Sequence, residues 1–285
     1  MTDPFRLLVA YDGSVCADDM IDELDAAGIP GDAHALVVSV AERWLPPPSM
    51  YEVATARDLP RGREQASRLA RLGANRLAER HPRWTVEAEG HAGSPARVIV
   101  DRAREWHARL IAVGALGHNI VERLLIGSVS QKIVNEASCS VRVSRGQSRP
   151  GAQKLLLAYD ARPGAELAAG AIAARSWPKG TEVHVVAGVG FDGAPLGELS
   201  LPLDLGRAQE LLQPAVRTLE RAGLSVSATL READPKHLVV EEAARLGADC
   251  IFAGCNEHSL LDRILLGTVS NALVARARCT VEVVR

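Results

Sequence analysis

The chain repeats itself, and that repetition limits its fold more than any other feature. Residues 110–145 (LIAVGALGHNIVERLLIGSVSQKIVNEASCSVRVSR) align without gaps with residues 250–285 (CIFAGCNEHSLLDRILLGTVSNALVARARCTVEVVR) and share 14 of 36 positions. The identities include Gly114/Gly254, His118/His258, Arg123/Arg263, Gly127/Gly267, Ser130/Ser270 and Cys139/Cys279. The openings match too, RLLVAYDGS at 6–14 with KLLLAYDAR at 154–162. A repeat of this length is one structural unit used twice. The openings lie 148 positions apart and the closing blocks 140, so the first copy carries eight extra residues, placed among loop 44–60 and its neighbours. The join at 144–153 (SRGQSRPGAQ) is short, polar and holds Gly and Pro, as a linker does. The expected domains are 1–146 and 152–285.

Within each copy, apolar strand-like runs alternate with helical stretches. The first copy has runs at 6–11, 34–40, 84–90, 109–114 and 140–144, with helices near 15–27, 61–80, 95–108 and 128–137. The second repeats the runs as KLLLAY, EVHVVAG, SVSATL, DCIFAG and TVEVV. Ser94-Pro95 and Asp234-Pro235 read as matched helix starts, an N-cap acceptor followed by a proline that loses nothing at the first helical position. Alternating βα units imply a parallel sheet with helices on both faces and right-handed crossovers. The fold class is therefore α/β, two tandem doubly wound units. Ligands of such sheets bind outside the carboxyl ends of the strands, where the strand order reverses.

Composition narrows the partners. Hydrophobic residues make up 47% and charged residues 24%, a balance that builds a real core. A net charge of −2 gives no pull toward nucleic acid or anionic membrane, and no apolar stretch approaches the roughly 20 residues of a membrane span. The opening MTDPFRLLVAYDGS has no basic region, long apolar segment or small-residue cleavage site. Five cysteines, an odd number, do not suit a secreted disulfide scaffold. The expectation is a cytoplasmic protein with reduced thiols.

The chemistry concentrates at strand ends. The fourth run leads into Gly114-Ala115-Leu116-Gly117, and nine residues later Gly127-Ser128-Val129-Ser130 opens a helix. Glycines admit close backbone approach and positive φ, and a helix N-terminus offers unpaired N–H groups at the positive end of a dipole. Ser128 and Ser130 add hydroxyls. Asp12, after the first run, is an acceptor for a ribose or an adenine amino group, and Val40 is placed to wall the base. Gly114-x2-Gly117-x9-Gly127-Ser128 with Asp12 resembles the ATP-binding signature of the universal stress protein family. The resemblance covers both copies. It implies a five-stranded parallel sheet of order 3-2-1-4-5 in each, with Asp12 and Val40 on the nucleoside. Gly114, Gly117, Gly127, Ser128, Val129 and Ser130 would surround the phosphates. The implied ligand is ATP, with or without Mg²⁺; ADP and AMP stay open. By the same resemblance the two copies join through their fifth strands as an internal pseudo-dimer, which sets Arg142 opposite Glu282; a further homodimer stays open.

The second copy departs from the signature, with Glu257 where the first has Gly117, and Ala161-Arg162 after Asp160. At a positive φ a glutamate costs roughly 1 kcal/mol, and its carboxylate repels a polyphosphate. Weak or no nucleotide binding is expected there. Other features have bland readings. Gly188-Val189-Gly190-Phe191-Asp192-Gly193 matches a dinucleotide fingerprint only formally, since no helix opens after it. His118 and His258 either touch phosphate or cap a loop; Arg123 and Arg263 either reach phosphate or pair with Glu122 and Asp262. Cys139 and Cys279 read as small packing residues. The arginines 61, 63, 68, 71, 76 and 80 lie on one face of a helix with Leu69, Leu72 and Leu77 on the other, a solvated face rather than a nucleic-acid site. In function the chain reads as a stress-response protein that binds adenine nucleotide in its first domain and acts as a sensor or regulatory module on a protein partner. A slow ATP hydrolase and a structural protein with vestigial sites are the alternatives.

Overall fold

The computed structural model describes residues 3–42, 58–116, 126–146, 151–189, 210–255 and 267–285. The first half runs β1 (Arg6–Ala10), α1 (Val15–Glu23), β2 (His34–Glu42), α2 (Asp58–Arg80), β3 (Thr85–Gly93), α3 (Pro95–Glu105), β4 (Leu110–Gly114), α4 (Ser128–Glu136) and β5 (Ser140–Ser144). The second runs β6 (Lys154–Ala158), α5 (Pro163–Ala173), β7 (Glu182–Val189), α6 (Gln213–Arg221), β8 (Ser225–Glu232), α7 (Pro235–Leu246), β9 (Cys250–Gly254), α8 (Thr268–Arg276) and β10 (Thr280–Val284). A short 3-10 turn, Leu24–Ala26, extends α1.

All ten strands lie in one sheet of order β3-β2-β1-β4-β5-β10-β9-β6-β7-β8. Each half is 3-2-1-4-5 and parallel throughout. The halves meet where β5 pairs antiparallel with β10, and the register sets Arg142 opposite Glu282. The two halves thus join through their fifth strands, as the resemblance implies, into one mixed sheet with a seam in its middle.

Side chains alternate across a strand with a period of two, and the seam strands use that alternation fully. Val141, Val143, Val281 and Val283 point to one face, where they join α3, α4, α7 and α8 in a single apolar core that runs across both halves. Arg142 and Glu282 point to the other face, which holds two separate cores, one under α1 and α2 and one under α5 and α6. The central strands β1 and β4 are almost wholly buried, as continuous apolar runs demand, while the edge strands β3 and β8 are largely exposed and charged.

Two local expectations change. In α2 the leucine stripe forms only part of the buried face: Ala66, Ala70, Ala74 and Leu77 are buried and Leu69 half-buried, while Leu72 is exposed. Small residues win because the helix lies close on the sheet; a Cβ on Gly73 would sit 2.8 Å from the Tyr11 ring. Two arginines of that helix pair across to α1 and the 3-10 turn, Arg76 with Asp22 at 2.8 Å and Arg80 with Asp25. The two Pro-led helix starts also differ. Asp234 accepts from the Lys236 N–H, whereas Ser94 makes no side-chain cap.

Candidate functional site

The first strand ends in a turn built to hold one carboxylate. Tyr11 is buried; its hydroxyl donates to Asp18 at 2.7 Å, and burial, then that hydrogen bond, raises its pKa well above the usual tyrosine range. Its carbonyl accepts from Ser39 Oγ. Asp12 follows and accepts the Ser14 N–H at 3.0 Å, an Asx turn. Gly13 carries the turn at φ +77°, and Ser14 caps α1 by accepting from Ala17 N–H at 3.2 Å. Asp12 is thereby fixed at the carboxyl end of β1, over the switch between β2-β1 and β1-β4.

The exit of β4 and the start of α4 meet through two hydrogen bonds. Ser130 Oγ donates to the Gly114 carbonyl at 2.7 Å, and Gly127 N–H donates to the Ala115 carbonyl at 2.7 Å. Neither glycine is left-handed. Gly127 caps the helix in an extended conformation at φ −67°, and Gly114 is needed because α1 passes over it, with the Cys16 carbonyl 3.2 Å from where a Cβ would stand. The Ser130 hydroxyl ties the helix to the strand, so its proton is already used. No side chain caps α4, and the amides of Ser128, Val129 and Ser130 belong to a helix's first turn, which has no partners within the helix.

A cavity of about 340 Å³ opens between these elements. Asp12, Val40, Gly114, Gly127, Ser128, Val129 and Ser130 all line it. Gly117 lies outside the described residues, as do His118, Glu122, Arg123, Glu257, His258, Asp262, Arg263 and most of loop 44–60. Pro95 and Ile99 of α3, with Val38, Val113 and Leu116, complete an apolar wall, and Glu42 stands at its rim. Sequence reasoning passed over these wall residues. The signal was available, since α3 starts at the same carboxyl edge of the sheet as the other site elements. Among the described lining residues, charge is carried by Asp12 and Glu42 alone.

The equivalent cavity of the second half measures about 140 Å³. There α5 presses on the end of β9: a Cβ on Gly254 would lie 2.0 Å from the Gly164 backbone, far tighter than its counterpart Gly114. Arg162 lines this cavity and stands 3.9 Å from Asp160. Gly188 occupies the register position of Val40, so that wall residue is lost, while Val186, Pro235 and Val239 keep the places of Val38, Pro95 and Ile99. Ala161 takes φ +60° where the first half has Gly13.

The described cysteines form no disulfide. Burial pushes the Cys139 thiol up to about 11 and those of Cys250 and Cys279 up to about 12, leaving little thiolate to react. No helix among the described residues is long and apolar enough to cross a membrane.

A doubly wound parallel unit with a cleft at its switch point, used twice and fused through its last strand, defines a tandem α/β protein of the ligand-binding kind. The profile of the universal stress protein family matches residues 5–145 and again 151–285, and the chain belongs to that nucleotide-binding family. Proteins of Staphylococcus aureus that carry the universal stress protein name are 33% identical over 146 residues, 51% of this chain and 86% of theirs. A universal stress protein structure from Archaeoglobus fulgidus superposes with a TM-score of 0.72 at 18% identity, covering 98% of each chain. A Pseudomonas aeruginosa structure described as functionally unknown gives 0.66 at 16% identity, covering 99% of this chain and 92% of its own. At such identities the structures share the fold.

Proposed function

We propose that the first half binds an adenine nucleotide, ATP with or without Mg²⁺ or its ADP and AMP relatives, and that the protein works as a nucleotide-responsive regulatory module while the second half binds none. One observation carries this: residues far apart in the chain, from the end of β1, the end of β2, the exit of β4 and the start of α4, converge on one cavity. Its size falls within the range of about 300–1,000 Å³ usual for small-molecule sites, and that of the second half does not. The chemistry is divided along the cavity. Val38, Val40, Pro95 and Ile99 offer an apolar slot for a base, Asp12 an acceptor for hydroxyls, and the first turn of α4 a row of amides for phosphate. Because the described lining holds two acids and no cation, the phosphates rely on main-chain donors, and a divalent cation would offset their charge.

Titration of the purified chain with ATP, ADP, AMP and GTP tests the proposal. One adenine nucleotide per chain is expected, and Asp12→Ala should weaken it roughly tenfold, the effect of losing a charged hydrogen bond of about 1.5 kcal/mol. Two equivalent nucleotides per chain, or none, would sink it. Turnover with Mg²⁺ above the uncatalysed rate would favour the hydrolase.

A further inference from the structure

The helix that opens the candidate site is anchored, at its opposite end, by the other half of the molecule. In α4 the last helical bond runs from Ala137 N–H to the Ile133 carbonyl at 2.9 Å. The next carbonyl, that of Val134, accepts from the guanidinium of Arg285, which also donates to the Cys139 carbonyl at 3.4 Å. The arrangement is reciprocal. In α8 the Leu273 carbonyl takes the Ala277 N–H at 2.9 Å, and the Val274 carbonyl takes Arg145 Nη2 at 2.6 Å. Both arginines are seated by their own backbones across the seam, Arg285 N–H on Ser140 Oγ and Arg145 N–H on Thr280 Oγ1, each at 3.2 Å. Gln131 Nε2 meets Asn271 Oδ1 at 3.1 Å, so the two helices also touch directly.

We propose that Arg285 is a positioning residue for the first-half cleft, supplied by the half whose own cavity is the smaller. This rests on the nucleotide reading of that cleft. A nine-residue helix is about 14 Å long, so an arginine at its C-terminal end never touches the ligand. It acts through the helix. A cation on the last carbonyls favours the dipole whose positive end faces the phosphates. The bond to the Val134 carbonyl, with a second to the Cys139 carbonyl just past the helix end, also fixes where the helix sits along its axis, and with it the amides of Ser128, Val129 and Ser130. The second half is then a structural part of the first half's site, which accounts for keeping a copy with a narrowed cavity.

The symmetry supplies its own control. R285Q and R145Q remove the same contact from opposite sides of the seam, but only R285Q loosens α4. Calorimetric titration of the full chain with ATP and with adenosine, which lacks phosphate, separates positioning from general damage. R285Q should weaken ATP roughly five- to tenfold, a helix-terminus effect, while adenosine stays within about twofold. R145Q should leave both within about twofold. If R285Q does not fold, R285K carries the comparison, with a loss for ATP of roughly two- to threefold. An unchanged ratio of ATP to adenosine affinity in the Arg285 variant, or an equal loss of ATP in R145Q, overturns the inference. Wild-type protein that binds no ATP overturns the nucleotide reading first and this one with it.

Discussion

A single left-handed residue shows how the two halves parted. Gly13 and Ala161 hold the same place after their strands, at φ +77° and +60°. Glycine pays nothing there, while an alanine in that region costs roughly 1–2 kcal/mol. Gly13→Ala should therefore destabilise the protein by about 1 kcal/mol, with Leu69 Cδ2, 2.9 Å from the new methyl, forced to move as well. Ala161→Gly should stabilise it by about 0.5 kcal/mol, the released strain less the extra freedom of an unfolded glycine. Urea unfolding of both variants checks the pair; two losses of equal size would show that the two turns are not under the same strain. Sequence reasoning placed positive φ in the Gly114 and Gly127 loop, where both described glycines are extended. It missed Gly13 because the repeat shows an alanine at the same place, and an alanine does not advertise a left-handed turn. Most other site residues were legible, since Asp12, Gly114, Gly127 and the Ser128–Ser130 run are short-range chemistry at strand and helix ends.

At the scale of elements, α3 is clamped to the edge strand β3 by a bidentate pair. Arg102 Nε and Nη2 lie 2.7 and 2.8 Å from the two oxygens of Glu89, with His91 Nε2 at 2.9 Å. The Arg102 hydrogen bonds, with a smaller contribution from His91, hold the Glu89 carboxyl down at about 2 against an ordinary 4.5. A depressed folded value means that the clamp's stability is fully present above the unfolded value and is lost as pH falls from about 4.5 toward 2. Glu89→Gln should cost about 1 kcal/mol at pH 7, a partly exposed pair being screened by solvent. The gap between variant and wild type should narrow below pH 4.5. Urea midpoints from pH 7 to pH 3 measure it, and a gap that stays constant with pH would refute the clamp. Strand runs and helix periods predicted the elements well, because a buried parallel sheet writes itself as apolar runs. On α2, Leu72 was misplaced for a physical reason: it looks like core, yet close packing on Tyr11 brings Gly73 and the alanines to the sheet beside Leu77 instead.

At the scale of the molecule, everything turns on the seam. Arg142 and Glu282 were legible together, because the repeat makes them equivalent and the fifth-strand pairing that the family resemblance implies sets them face to face about a pseudo-two-fold axis. Their surroundings were not. Glu282 also binds Arg175, whose repeat mate is Ala27, and Glu23 accepts from Thr280 Oγ1 at 2.9 Å where its own mate is Ala171. Residues without a counterpart leave no trace in a symmetry argument. The pair also differs in kind from an exposed cross-strand contact: Arg142 Nη1 lies 3.3 Å from Glu282 Oε2 and both side chains are buried. Removing one buried partner strands the others, at about 3–5 kcal/mol, while removing opposite charges together leaves the remainder balanced. Glu282→Gln, which takes from Arg142 and Arg175 the carboxylate they share, should lose most of that amount. Arg142→Met combined with Glu282→Met, which leaves Arg175 and Glu23, should lose less than Glu282→Gln alone. Urea unfolding followed by tryptophan fluorescence and circular dichroism measures both, with coincident curves required for a single transition. A double variant whose loss equals the sum of its two single substitutions would show that the charges at the seam act independently, and the sheet would then be held by its valines alone.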